Sequence, residues 1–161
     1  MKRFFLGVGL LFSITAHGQI RVDQAGDDWK SLVDSALTKI KQSDISTWNF
    51  ILEHVKHIGF WNGAFSTTEF NAQGTWSVVI SASDIRLGSI NNLASVITHE
   101  SYHVYAATHN LQLTPCQEEL AAYSFEQSFQ RRLKNLESWI SRSTTHQVIT
   151  CQKRLEADSC K

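Results

Sequence analysis

The residues His99-Glu100-Ser101-Tyr102-His103 set two imidazoles one helical turn apart, with a carboxylate between them. On an α-helix, positions i and i+4 differ by about 40° around the axis and about 6 Å along it, so both rings reach one cation from the same face. Glu100 lies about 100° around from His99, where it can hold a water without occupying a coordination position. The chemistry of such a trio is hydrolysis by a water that a metal ion acidifies and a carboxylate deprotonates. The flanking residues suit it. Asn91 to Thr98 lead in, Val104 to Ala107 follow, and neither Gly nor Pro interrupts residues 90–109. Leu93, Ile97 and Val104 fall on the side away from the histidines, as expected of a buried helix with one functional face. Ala106 falls near the ligand face and leaves room for a second helix.

The spacing is that of the H-E-x-x-H motif of zinc hydrolases. A catalytic zinc takes three protein ligands and keeps one position open for water. Two sources of the third ligand compete: the pair Glu118-Glu119 in the next helix, and His109, six residues after His103. The segment from His99 to His109 has the metzincin spacing, with Ala106 where that family has Gly. A Gly there lets the chain leave the helix sharply. If the helix continued instead, His109 would point about 80° away from His99, two to three turns on. Metzincins also carry a Met beneath the zinc, and the only Met here is Met1.

Glu119-Leu120-Ala121-Ala122 resembles the E-x-x-A pattern of the gluzincins, the thermolysin-like H-E-x-x-H peptidases. The resemblance covers residues 91–126. It implies a zinc ion held by His99, His103 and Glu119, Glu100 as general base, and peptide or protein substrates. Glu118 is the alternative in neighbouring register. Tyr123 stands where many gluzincins have an Asp that orients a ligand histidine, so another group must do that here. Tyr123, Tyr105 and His109 are the candidates to stabilise charge on a substrate oxygen. Two rival readings are a metzincin-like protease using His109 and a non-catalytic zincin-like binding protein of the cell envelope. Retention of Glu100 argues against the second, since a site without turnover needs no base.

Several elements must position these groups. Residues 27–42 predict a helix with Trp29, Val33, Leu37 and Ile40 on one face, and residues 44–58 predict a second with Ile45, Trp48, Leu52 and Val55. His54 and His57 share a face of that helix and read as surface histidines. Ala64 to Phe70 and Thr75 to Ser83 predict two strands joined by Asn71 to Gly74. The second is expected to form the edge on which an extended substrate lies. Thr114, Pro115 and Gln117 predict a capped helix start, with helical spacing continuing to about residue 142; the polar tail from Ser143 carries no further pattern. Ala121 and Ala122 allow close packing against Ala106 and Ala107. The fold expected is α+β: a mainly helical, minimal zincin-like domain with a small antiparallel β-hairpin or sheet packed on the motif helix.

Lys2-Arg3, an apolar run from Phe4 to Ile14 and small residues at 16–18 read as a signal peptide over residues 1–18, leaving residues 19–161 as one domain. The mature chain is expected to be secreted or periplasmic. Removing Lys2 and Arg3 from fifteen basic residues leaves thirteen against fifteen acidic ones, a formal charge of −2. No basic stripe accompanies this balance, which excludes nucleic acid as the expected partner. No later segment predicts stable membrane insertion. Cys116, Cys151 and Cys160 meet an oxidising compartment if the chain is exported. Both Cys151–Cys160 and Cys116–Cys151 pairings are open on sequence grounds.

Overall fold

Trp29, Val33, Ala36, Leu37 and Ile40 recur at helical spacing and all are buried, which makes the helix α1 (Asp27–Ser43) one wall of the hydrophobic core. Asp44 ends it and starts the next. Its carboxylate accepts the backbone N–H of Ser46, capping α2 (Ile45–His54). These coordinates, a computed structural model, describe residues 20–23, 27–87 and 89–159. The expected signal peptide and Cys160 lie outside the described residues.

The second helix is shorter than its spacing predicts. Val55 turns extended at φ −94°, ψ 118°, and residues His57–Trp61 form a strand, β2, rather than the end of a helix. β2 lies in a mixed sheet with β1 (Arg21–Val22), β3 (Thr67–Phe70) and β4 (Trp76–Ser81), in the order β1-β2-β4-β3. β1 and β4 both pair with β2 in parallel. β3 and β4 form the expected antiparallel hairpin, with Thr67 opposite Val79 and Phe70 opposite Trp76. Its turn uses Gly74 at φ 75°, and Asn71 Oδ1 accepts the N–H groups of Gln73 and Thr75. The strand expected at the edge, β4, is therefore interior, with partners on both sides, and the free edge beside it is β3. Parallel pairing buries both faces of a central strand, and Ser77 to Ser81 are buried in turn.

After β4 a short helix, α3 (Ala82–Arg86), leads to the motif helix α4 (Ile90–Thr108), which packs its Leu93, Ala94, Ile97 and Val104 against α1 and the sheet. α4 ends in a Schellman motif: Asn110, at φ 50°, donates its N–H to Ala107 and Leu111 donates to Ala106. The chain then reverses into α5 (Pro115–Gln130), whose start carries the predicted cap. The Thr114 hydroxyl accepts from Gln117 N, and the Gln117 side chain accepts from Thr114 N. The long helix does not run on to residue 142. It stops at Gln130, residues 131–137 form turns with Asn135 at φ 59°, and the tail is itself a helix, α6 (Ser138–Ser159), packed on α5. Fully buried Phe129 fastens the end of α5 into the core. The architecture is α+β and mainly helical, as expected, with a four-stranded mixed sheet in place of a purely antiparallel hairpin or sheet. Among the described residues no helix is long and apolar enough to cross a membrane.

Candidate metal centre

α4 turns His99 and His103 toward α5, and α5 answers with acidic residues. The two helices pack on each other, and both carry small buried residues, Ala106 on α4 and Ala122 on α5. The Nε2 atoms of the two imidazoles lie 3.2 Å apart. Glu119 Oε2 is 3.6 Å from His99 Nε2, and Glu119 Oε1 is 3.6 Å from His103 Nε2. One donor atom from each of His99, His103 and Glu119 falls within 4.8 Å of the others. Donors around a tetrahedral ion with bonds of about 2.0–2.1 Å stand about 3.3–3.4 Å apart, so the three separations fit such an ion.

The other ring nitrogens are held by carboxylates. His103 Nδ1 donates to Glu118 Oε1 at 2.7 Å, and a carboxylate can only accept. The proton is thus on Nδ1 and the Nε2 lone pair faces the centre. Glu126 Oε2 stands 3.3 Å from His99 Nδ1, within ion-pair distance though off the angle of a full hydrogen bond. Glu126 is itself fixed, its Oε1 accepting Gln130 Nε2 at 2.6 Å and Thr144 Oγ1 at 3.0 Å. This is the outer-shell pattern of metal-binding histidines, in which the second nitrogen is tied to an acidic partner. The two Nε2 atoms, 3.2 Å apart, are within hydrogen-bond distance, so a proton on His99 Nε2 can point at the His103 Nε2 lone pair. Burial opposes protonation of His99, but Glu119 and Glu126 favour it more, and its pKa rises to about 10. The cage is built for a cation, whether a proton or a metal ion.

Glu100 is buried and lines the same cavity, of about 420 Å³, as His99 and Glu119. Burial, partly offset by His99 and His103, raises its carboxyl pKa above the ordinary value. The pairing with His99 lowers that of Glu119. Tyr123 lines the cavity with its ring against His99, at a centroid distance of 4.3 Å. Burial and then the neighbouring carboxylates of Glu119 and Glu126 raise its phenol pKa, so it keeps its proton. Phe65, Leu87 and Trp139 give the cavity exposed apolar walls.

Not every sequence candidate joins this centre. His109 caps the end of α4, its Nδ1 against the Tyr105 carbonyl and its ring stacked on Tyr105 and beside His54. Among the described residues it is not in the donor group. Tyr105 belongs to that same aromatic cluster with Phe50. Glu118 is close to the centre, but it holds His103 from behind rather than joining the donors. His57 is neither on α2 nor on the surface. It is buried in β2, with Nε2 on Asp23 Oδ1 at 2.7 Å and Nδ1 on Ser77 Oγ at 3.0 Å. That Asp–His–Ser chain has the residue types of a nucleophilic triad, yet Ser77 is wholly buried and presents no attacking oxygen to a substrate. Glu126 went unrecognised in the sequence. The signal for it was its seven-residue spacing from Glu119, which returns to the same helix face with Tyr123 between them.

Compared with protein-family models, with curated proteins and with solved structures, the chain finds no match.

Proposed function

We propose that the chain is an exported, zinc-dependent metallopeptidase, similar in its site to the gluzincins, with His99, His103 and Glu119 as ligands and Glu100 as general base. The observation that carries this reading is the convergence of two Nε2 atoms and the Glu119 carboxylate, with both Nδ1 atoms facing carboxylates of Glu118 and Glu126. Zinc is preferred over magnesium or calcium because two of three donors are imidazole nitrogens, where those hard ions take oxygen.

Bound there, zinc supplies Lewis-acid polarisation of a carbonyl and a water that ionises near neutral pH. Glu100 would accept a proton from the attacking water and hand it to the departing amine nitrogen. Its raised pKa brings it nearer the working pH of a proton shuttle. Tyr123, held neutral, offers a hydroxyl toward the carbonyl oxygen as charge builds on it. An extended peptide has room along the free edge of β3, whose neighbours Phe65 and Ser66 line the cavity.

The test is a pair of measurements on the purified chain. Zinc content by elemental analysis should be one per chain, and a peptide library should be cleaved in a chelator-sensitive way. Glu100→Gln should keep the zinc and lose about 10²–10⁴-fold in hydrolysis, because an amide cannot accept the proton. Undiminished cleavage by that variant refutes the assignment.

A further inference from the structure

Ile140, Thr144 and Cys151 are the buried positions described along α6. Thr144 and Cys151 are seven residues apart, which returns to within about 20° of the same direction. They lie on the seam that faces α5. Thr144 meets Glu126 and Gln130 there, and Thr145 meets Gln127. Only residues 131–137 separate the two helices and α6 packs back along α5, so going up α6 from Thr144 to Cys151 means going back down α5 from Glu126 toward its first turns. Those turns hold Glu119, Glu118 and Cys116. Cys116 and Cys151 are both free thiols. Burial raises the pKa of the Cys151 thiol, and Cys116 and then Glu119 raise it further, which puts both residues beside Cys151 across this seam.

We propose that Cys116 and Cys151 are a disulfide-forming pair that staples the second half of α6 to the first turn of α5. The partners of the metal centre sit close to this staple. Cys116 precedes Glu118 and Glu119 by less than one turn, and α6 supplies the cavity wall through Trp139, Ile140 and Gln147. Without the bond, α6 is held to α5 by the Thr144 network and packing near its start. With it, the wall is clamped at both ends. In the oxidation each thiol gives up one proton and one electron, and the two sulfurs bond. A small-molecule disulfide accepts both electrons and both protons and leaves as two thiols. The oxidising compartment rests on the export reading above; the pairing itself rests on the α5–α6 contact.

The experiment uses the full chain, fully reduced and then exposed to oxidised glutathione, with alkylation, digestion and mass mapping. The expected product is an intramolecular Cys116–Cys151 link, formed equally in Cys160→Ser. The thermal midpoint of the oxidised form should lie roughly 5–15 °C above that of the reduced form, and Cys116→Ser should abolish this difference. A Cys151–Cys160 link as the main product, or glutathione retained separately on Cys116 and Cys151, overturns the proposal. Zinc content measured on the same samples keeps the two readings apart. A zinc-free protein carrying the Cys116–Cys151 bond refutes the metallopeptidase reading and leaves the staple standing.

Discussion

Replacing Glu126 by Gln tests whether the outer carboxylates prepare the imidazoles for a metal. The change is nearly isosteric and leaves His99, His103 and Glu119 untouched. Glu126 Oε1 accepts from Gln130 Nε2 and Thr144 Oγ1, while Oε2 faces His99 Nδ1 at 3.3 Å. An amide has only one oxygen for these two sides. Keeping that oxygen toward Gln130 and Thr144 turns the NH₂ toward His99. Nδ1 must then accept, its proton moves to Nε2, and the lone pair meant for the cation is lost. Turning the amide the other way leaves Nδ1 its acceptor but sets two NH₂ groups against each other at Gln130. Changes to such outer partners cost about 10–100-fold in metal affinity, or roughly 1.4–2.7 kcal/mol. We expect the upper half of that range because the Glu126 side chain is only 9% exposed. Glu118, whose side chain is 32% exposed, should give a smaller effect when changed to Gln, since water can replace part of its role. The assay is zinc affinity by competition with a chromophoric chelator, with circular dichroism to verify the fold. A folded Glu126→Gln protein with zinc affinity within a factor of two of the unaltered chain refutes the reasoning.

Two further predictions concern ligand choice and stability. Glu119→Ala should lower zinc content sharply while His109→Ala leaves it unchanged, as elemental analysis will read; the reverse result restores the metzincin-like assignment. Asp44 bears on stability alone. Burial pushes its carboxyl up, but hydrogen bonds from Ser46, Thr47 and Arg132 together outweigh this and lower it from 3.8 to about 2. A depressed pKa contributes stability above the unfolded value, and that contribution disappears as pH falls through about 4 toward 2. Asp44→Ala should therefore cost about 1–2 kcal/mol at pH 7, and its deficit in urea unfolding should shrink across that acid window. A deficit independent of pH contradicts the assignment of Asp44 as an ionised cap.

The readings that held were those resting on local pattern. The α4 helix, its buried face and its histidine stripe follow from residues within four positions of one another. The cap of α5 follows from Thr114, Pro115 and Gln117 alone. The readings that failed depended on distant neighbours. Val55 fits the apolar face of α2, yet the chain turns extended there because His57–Trp61 has strands waiting on both sides. Nothing local marks the break after Gln130, where neither Gly nor Pro stands. Asn135 takes the left-handed conformation instead. The α6 helix went unread, because a polar helix stays invisible until a partner covers one stripe of it, here Ile140, Thr144 and Cys151.

By itself the sequence determined two imidazoles on one helical face with a carboxylate about 100° around from the first, because the 3.6-residue period is a local property of the backbone. It also offered three acidic or basic side chains as the remaining donor. Only the tertiary structure groups one of them, Glu119, with the two imidazoles. The Schellman turn at Asn110 reverses the chain, and α5 packs back on α4. Together they bring Glu119 to the open side of the rings and Glu118 and Glu126 behind them. Neighbours in sequence thereby take different roles, since adjacent residues on a helix point about 100° apart.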